Sequence, residues 1–160
     1  MKSAGCTEFR LSMGRLVKLA RLTGTEWTIL IRAGVLLPAI AFGLHVVGFN
    51  RLRALLGKVL PDGGARLSGD REKSLVVVTT RMVGIASRHG FPRVTCLPRS
   101  LTLWRLLRSH GVEADLRIGV RREAGRLDAH AWVEHRGLPL NDASDVAERY
   151  AAFDGSAVLL

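Results

Sequence analysis

Cysteine is scarce in this chain, which limits how the protein can be stabilised. The 160 residues include two cysteines, Cys6 and Cys96. Two cysteines cannot build the disulfide framework of a small secreted domain, and we expect no bridge between these two. Free thiols persist in a reducing compartment, so the sequence favours a cytoplasmic protein.

The sequence also lacks the motifs of nucleotide and nucleic-acid binding. Gly57-Lys58 is followed by Val59, without the upstream glycine spacing of a phosphate loop. Aromatic residues make up 6% of the chain and are not interleaved with the basic residues near the N-terminus. No pattern of a known nucleic-acid-binding module is present. We therefore expect no cofactor and no nucleic-acid partner.

Acidic residues are outnumbered, and the imbalance is uneven along the chain. The chain has 24 Lys and Arg against 14 Asp and Glu, a net charge of +10. Residues 1–60 hold nine of the basic residues and two of the acidic ones. Such a segment suits an anionic lipid surface or an acidic peptide. A solvated basic face explains the same excess equally well.

Residues 1–66 are expected to form a basic, hydrophobic helical segment. Apolar residues at 3/4 spacing predict helices over residues 8–22 and 51–60. The run 28–49 is long enough to span a bilayer. Arg32, His45 and a proline in mid-run disfavour a span. We expect a buried or surface-lying helix broken near Pro38, and a membrane surface among the partners.

Residues 67–160 are expected to form an α+β domain, separated from the helical segment by a turn at Pro61–Gly64. Helical periodicity, strict alternation and capping residues predict two helices, three strands and a short last helix. The expected bounds are residues 70–87, 95–111, 114–121, 128–134, 138–142 and 144–152. This order of elements resembles the core of papain and transglutaminases, which implies that the helix carrying Cys96 packs on an antiparallel sheet that carries His130 and Asp142.

Cys96 occupies the first turn of the second of these helices. The helix dipole and the free backbone N–H groups there favour a thiolate. The same N–H groups can donate to an oxyanion. A lone cysteine is more often a small buried apolar residue, so Cys96 by itself does not establish a nucleophile.

The last predicted hairpin brings a histidine and an aspartate together. Gly137 suits the left-handed position that ends a three-residue loop over 135–137. In that register His130 faces Asp142, with Cβ atoms about 4.5–5.5 Å apart. The carboxylate can then accept from one imidazole nitrogen and leave the other for a thiolate. A two-residue loop would shift the register and separate the pair.

The same strand supports two further interpretations. Trp132 shares the face of His130 and is expected to wall the site and bind substrate. His130, Glu134 and His135 include residue types that bind zinc. However, His135 lies five positions from His130 and faces the other way on a continuous strand. We therefore expect no metal site.

Two sequence blocks carry these residues, T-C-L-P-R-S-L-T-L-W-R-L-L-R-S-H-G and A-H-A-W-V-E-H-R-G-L-P-L-N-D. Together they resemble the lasso-peptide leader peptidases, transglutaminase-like cysteine peptidases related to the microcin-processing protein. The resemblance covers roughly Ser68 to Phe153. It implies that Cys96 is the nucleophile, His130 the general base and Asp142 its orienting acid.

The resemblance also implies the partners. The substrate is then a ribosomally made precursor peptide, cut at the junction of leader and core, and a separate macrolactam synthetase closes the ring with ATP. Fused members of the family carry a leader-recognition domain ahead of the protease. Residues 1–66 are predicted to be helical instead, which implies a separate leader-recognition protein.

Two other functions stay open from the residues alone. The same Cys-His-Asp set can transfer an acyl group to an amine, as transglutaminases do. Alternatively, the protein is a non-enzymatic basic helical adaptor for lipid or peptide, in which Cys96 is merely buried.

Overall fold

The computed structural model describes residues 22–59, 69–89, 94–123 and 125–153. Within these ranges the chain forms helices followed by a small sheet. The elements are α1 (Gly24–Val46), α2 (Phe49–Val59), α3 (Asp70–His89), α4 (Cys96–Ser109), β1 (Asp115–Glu123), β2 (Arg126–His135), β3 (Leu138–Pro139), α5 (Val146–Arg149) and β4 (Ala151–Phe153). The helix expected over residues 8–22 and the turn at Pro61–Gly64 lie outside the described residues, except for Leu22.

Helix α1 is continuous through Pro38, and the break expected there was wrong. Its first turn is fixed by a capping box, in which Glu26 N–H donates to Thr23 Oγ1 and Thr23 N–H donates to a Glu26 carboxylate oxygen. One stripe of the helix is buried on both sides of the proline: Ile29, Ala33, Leu37 and Ile40. Packing of this stripe outweighs the one helical hydrogen bond that Pro38 removes.

The helices and the sheet share one hydrophobic core. Helix α1 packs on α3 and α4, and α4 packs on β2. Residues on both sides of the expected domain boundary enter the same cluster of buried side chains, among them Ile29, Leu37, Met82, Leu101 and Val133. The boundary itself, between residues 66 and 67, lies outside the described residues and stays a prediction.

The sheet has four antiparallel strands in the order β3-β2-β1-β4. Strands β1 and β2 form a long hairpin that runs from the pair Asp115–Glu134 to the pair Glu123–Arg126. The sequence did not predict β4. The last helix was expected to run to residue 152, but it ends at Arg149, and Ala151–Phe153 pair with the free edge of β1.

The α+β class is confirmed, since α4 begins at Cys96 and packs on the antiparallel strand that carries His130. One described helix, α1, is also long and apolar enough to cross a membrane by length and composition. Part of this helix is buried against α3 and α4.

Candidate active site

Cys96 is the first residue of α4, with Thr95 in the N-cap position. Thr95 has the extended backbone of an N-cap, but its hydroxyl makes no capping hydrogen bond. The N–H groups of the first turn are therefore not engaged by the side chain that most often binds them. Cys96 is a free thiol and is partly exposed. The free N–H groups of this turn can serve as donors for an oxyanion.

The hairpin between β2 and β3 has a two-residue turn, and the three-residue loop expected there was wrong. Arg136 and Gly137 have φ values of 52° and 76°, the signature of a type I′ turn. His135 pairs with Leu138 as a result. A positive φ is uncommon for arginine. Here the Arg136 guanidinium donates to the buried carboxylate of Glu72 at 2.6 Å, which holds the turn against α3.

His130 and Asp142 nevertheless meet, with Nε2 of His130 2.5 Å from Oδ2 of Asp142. The register shift was expected to separate them, but β3 ends at Pro139. After Leu140 the chain bends away from the ladder, and the Asp142 side chain extends back to the histidine from this bend. The two side chains therefore meet because of the bend after Leu140, which the register of the strands does not predict.

Asp142 is held as an ionised acceptor. Burial by itself would raise its pKa, but hydrogen bonds from His130 and from the Ala143 N–H, together with the charge of Arg149, hold the pKa below its ordinary value. Ala143 N donates to Oδ1 at 2.8 Å, and Arg149 lies 3.3 Å from the same oxygen. An ionised Asp142 accepts from Nε2–H, which leaves the lone pair of His130 on Nδ1.

The His130 ring lies beside two other aromatic rings. Its centroid is 5.0 Å from that of Tyr150 and 6.3 Å from that of Trp132, whose plane is nearly parallel. Trp132 is fully buried and donates from Nε1 to Glu134 at 2.8 Å. The substrate-binding role expected of Trp132 does not fit this burial, because the ring has no surface to offer. Its contacts support the orientation of His130 instead.

The contribution of Tyr150 was missed from the sequence. Its hydroxyl donates to Asp128 at 2.8 Å, and Arg121 Nε donates to the same oxygen at 2.9 Å. These two hydrogen bonds lower the pKa of Asp128. Gly119 lies against Tyr150 and Trp132, where an added Cβ would come within 2.9 Å of Tyr150 Cβ and 3.0 Å of the Trp132 ring. A side chain at Gly119 would therefore displace the two rings that flank His130.

Ser100 and Asn141 were also missed, and they join α4 to the edge of β2. The fully buried Ser100 Oγ donates to the Ala131 carbonyl at 2.8 Å and accepts from Asn141 Nδ2 at 2.9 Å. Asn141 Oδ1 accepts from Val133 N–H at 2.8 Å. The signal in the sequence was spacing, since Ser100 lies about one helical turn after Cys96.

These hydrogen bonds join the three chain segments that carry the candidate residues. Ser100 anchors the first two turns of α4 to Ala131, the residue next to His130. Asn141, the residue before Asp142, binds the same hydroxyl. The start of α4, the middle of β2 and the bend after β3 therefore converge on one buried polar cluster.

A protein-family model described as the transglutaminase-like superfamily matches residues 36–153. The match spans most of the chain and includes Cys96, His130 and Asp142. The chain belongs to the transglutaminase-like superfamily. No curated protein and no solved structure matches it.

Membership in this superfamily indicates cysteine chemistry of the peptidase or acyltransferase type. The match begins inside α1 rather than at the expected boundary near residue 67. The second half of α1 is thus part of the transglutaminase-like domain, in agreement with its burial against α3 and α4.

The residues of the alternative zinc site are engaged elsewhere in this transglutaminase-like domain. Glu134 accepts from Trp132 and from Arg117 Nε at 3.1 Å. His135 Nδ1 binds the Glu113 carbonyl at 2.6 Å. Within the described ranges, His, Cys, Asp and Glu form no group of three or more that could hold a metal ion.

Proposed function

We propose that this protein is a cysteine peptidase that removes the leader from a ribosomally made lasso-peptide precursor at the leader–core junction. The His130–Asp142 contact carries the proposal, because a carboxylate that accepts from Nε2–H of a neutral imidazole directs the ring's lone pair to Nδ1, where it can act as a general base. The resemblance of the two sequence blocks to leader peptidases supports the choice of substrate.

The proposed reaction begins with transfer of the Cys96 thiol proton to His130 Nδ1. The thiolate attacks the carbonyl carbon of the scissile bond, and N–H groups at the start of α4 donate to the oxyanion. The tetrahedral intermediate collapses, and His130 returns the proton to the leaving amine as the C–N bond breaks. The leader then remains bound to Cys96 as a thioester.

Water completes the reaction. His130 takes a proton from the water as it attacks the thioester, and the proton passes to the departing Cys96 sulfur. The products are a leader with a free carboxylate and a core peptide with a free amine. Attack by an amine instead of water gives the transglutaminase-type outcome, which differs in product mass.

The test is mass spectrometry of a precursor peptide encoded beside this gene, incubated with purified protein. Wild type is expected to release leader and core whose summed mass equals that of the precursor plus one water. Cys96→Ala is expected to release neither, while Cys6→Ala cleaves normally. Cleavage by Cys96→Ala at the wild-type rate would contradict the nucleophile assignment. A leader joined to an amine would favour acyl transfer.

The proposed reaction includes partners, because a disordered leader must be ordered before it is cut. A separate leader-recognition protein would raise the effective concentration of the junction at Cys96, to about the millimolar range for a short tether. The core peptide released here would be the substrate of the macrolactam synthetase. Adding the recognition protein to the cleavage assay is expected to raise the rate.

A further inference from the structure

An apolar groove lies between α1 and the start of α4. Ala41, Leu44 and His45 line it from α1, and Val94, Thr95, Leu97 and Pro98 line it from the other side. Its volume is about 350 Å³. Cavities that bind small ligands begin at roughly this size, so the groove has room for one or two amino-acid side chains.

The groove lies next to the chain segment that carries Cys96. Four of its lining residues, Val94, Thr95, Leu97 and Pro98, flank the cysteine in the sequence, although Cys96 itself is not part of the lining. Residues of an extended peptide are spaced by at most about 3.3–3.6 Å. A peptide with its scissile carbonyl at Cys96 therefore places the side chain one or two residues from the cut beside the groove.

The lining favours an apolar occupant. Most of the groove surface comes from aliphatic side chains, and the polar groups near it belong to His45 and Thr95. A charged side chain would lose its hydration there, and the described lining offers no carboxylate to pair with a cation. Leu44 and Leu97 of the lining also pack against the hydrophobic core, which restrains their side chains.

We propose that this groove binds an apolar side chain of the substrate peptide, one or two residues from the bond that is cut. This inference rests on the proposed peptidase function and deepens it, since it assigns part of the substrate specificity to α1. Helix α1 thus forms one side of the substrate-binding groove at the candidate active site, in addition to packing in the core.

The test compares two identical substitutions on α1. Ala41 lines the groove, whereas Ala39 is exposed and lies outside it. Ala41→Phe fills the groove and is expected to lower kcat/KM for the precursor at least about tenfold, mainly through KM, by the scale of apolar pocket contacts. Ala39→Phe is expected to stay within about twofold of wild type. Alkylation of Cys96 by iodoacetamide should be unchanged in both variants.

A second experiment changes the substrate and leaves the protein intact, so the inference can be tested even if Ala41→Phe does not fold. Each precursor residue within two positions of the cut is replaced by Asp in turn. One apolar position is expected to lose at least about tenfold in kcat/KM with wild type, and much less with Ala41→Phe. Equal kcat/KM for Ala41→Phe and Ala39→Phe would overturn the inference, and so would tolerance of Asp at every precursor position. In either case, cleavage of the precursor by wild type would still support the peptidase function. No cleavage by wild type would instead count against the peptidase function itself.

Discussion

His130 is held on several sides by side chains from its own strand, from the bend after β3 and from the residue before β4. Asp142 accepts from its Nε2, and the rings of Tyr150 and Trp132 lie beside its ring. A ring held this way presents Nδ1 in a fixed direction. Asp128 holds Tyr150 in turn, so the orientation of the histidine also depends on Asp128.

The depressed pKa of Asp142 predicts how stability depends on pH. A carboxyl group whose pKa is lower in the folded state stabilises the fold above its ordinary value of 3.8, and this contribution disappears as pH falls through the lowered pKa. We expect wild type to be more stable than Asp142→Asn at pH 7. The difference should shrink below about pH 4. Urea unfolding of both proteins from pH 7 to pH 3 measures it, and a constant difference across that range would contradict the expectation.

Ser100 tests the link between α4 and the sheet. Ser100→Ala leaves the Ala131 carbonyl and the Asn141 amide without this buried partner, at a cost of about 1–3 kcal/mol in the free energy of unfolding. The matched control is Ser109→Ala on the same helix, where the hydroxyl binds the nearby Leu106 carbonyl. We expect the control to cost less than about 1 kcal/mol, measured by urea denaturation. Equal losses in the free energy of unfolding would show that the hydrogen bond from α4 to β2 contributes no more to stability than one within α4.

At the scale of elements, long periodic patterns were predictable and short irregular ones were not. The start of α4 at Cys96 follows from helical periodicity after a residue type common at N-caps, and the β1 strand follows from alternation over many residues. Strand β4 has three residues and exists because β1 offers a free edge. The turn at Arg136 needs a positive φ that the distant Glu72 stabilises. Contacts of this kind are set by tertiary packing and leave no local signal.

The same distinction, between local patterns that can be predicted and tertiary contacts that cannot, applies to the candidate site. Cys96 could be placed at a helix start because local patterns determine that start. The contact of His130 with Asp142 was expected from the wrong register and is made through the bend after β3. Ser100 and Tyr150 could not be selected, since their roles depend on which buried polar groups lie opposite them.

The outer face of helix α1, which is exposed to solvent, is more apolar than most protein surface. Large apolar side chains recur along it and are exposed: Trp27, Ile31, Val35, Phe42 and Val46. Arg32 lies exposed beside this stripe, and residues 1–60 hold nine Lys and Arg against two acidic residues. An apolar stripe on a basic segment matches the surface of an anionic membrane. We expect the outer face of α1 to bind such a surface.

Two equivalent substitutions test the membrane contact. Val35 on the outer face of α1 is 64% exposed, and Val77 on α3 is 65% exposed. We expect Val35→Asp to weaken binding to phosphatidylserine-containing vesicles at least about tenfold, because it removes apolar contact and adds a negative charge. Val77→Asp should bind like wild type, and high salt should weaken binding of all three proteins. Flotation measures this, and equal effects of the two substitutions would contradict the assignment to α1.

In the molecule as a whole, helix α1 shares its hydrophobic core with α4, the helix that carries Cys96, and with one face of the sheet. Helix α1 packs on α3 and α4, and the superfamily match begins within α1. The candidate active site therefore draws on α1 for its groove, on α4 for the thiol, and on β2 and the bend after β3 for the base and its acid. Substitutions in α1 are therefore expected to change substrate binding directly.

We propose that His130 activates Cys96, and alkylation of that thiol tests this role without any substrate. Iodoacetamide is added at pH 6 to folded and to urea-denatured protein in a Cys6→Ala background, and peptide mapping by mass spectrometry follows Cys96. Few ordinary thiols are ionised at that pH, so we expect the folded protein to react at least about tenfold faster than the denatured one. His130→Ala should remove that advantage. A folded-state rate no faster than the denatured rate, unchanged by His130→Ala, would contradict the claim.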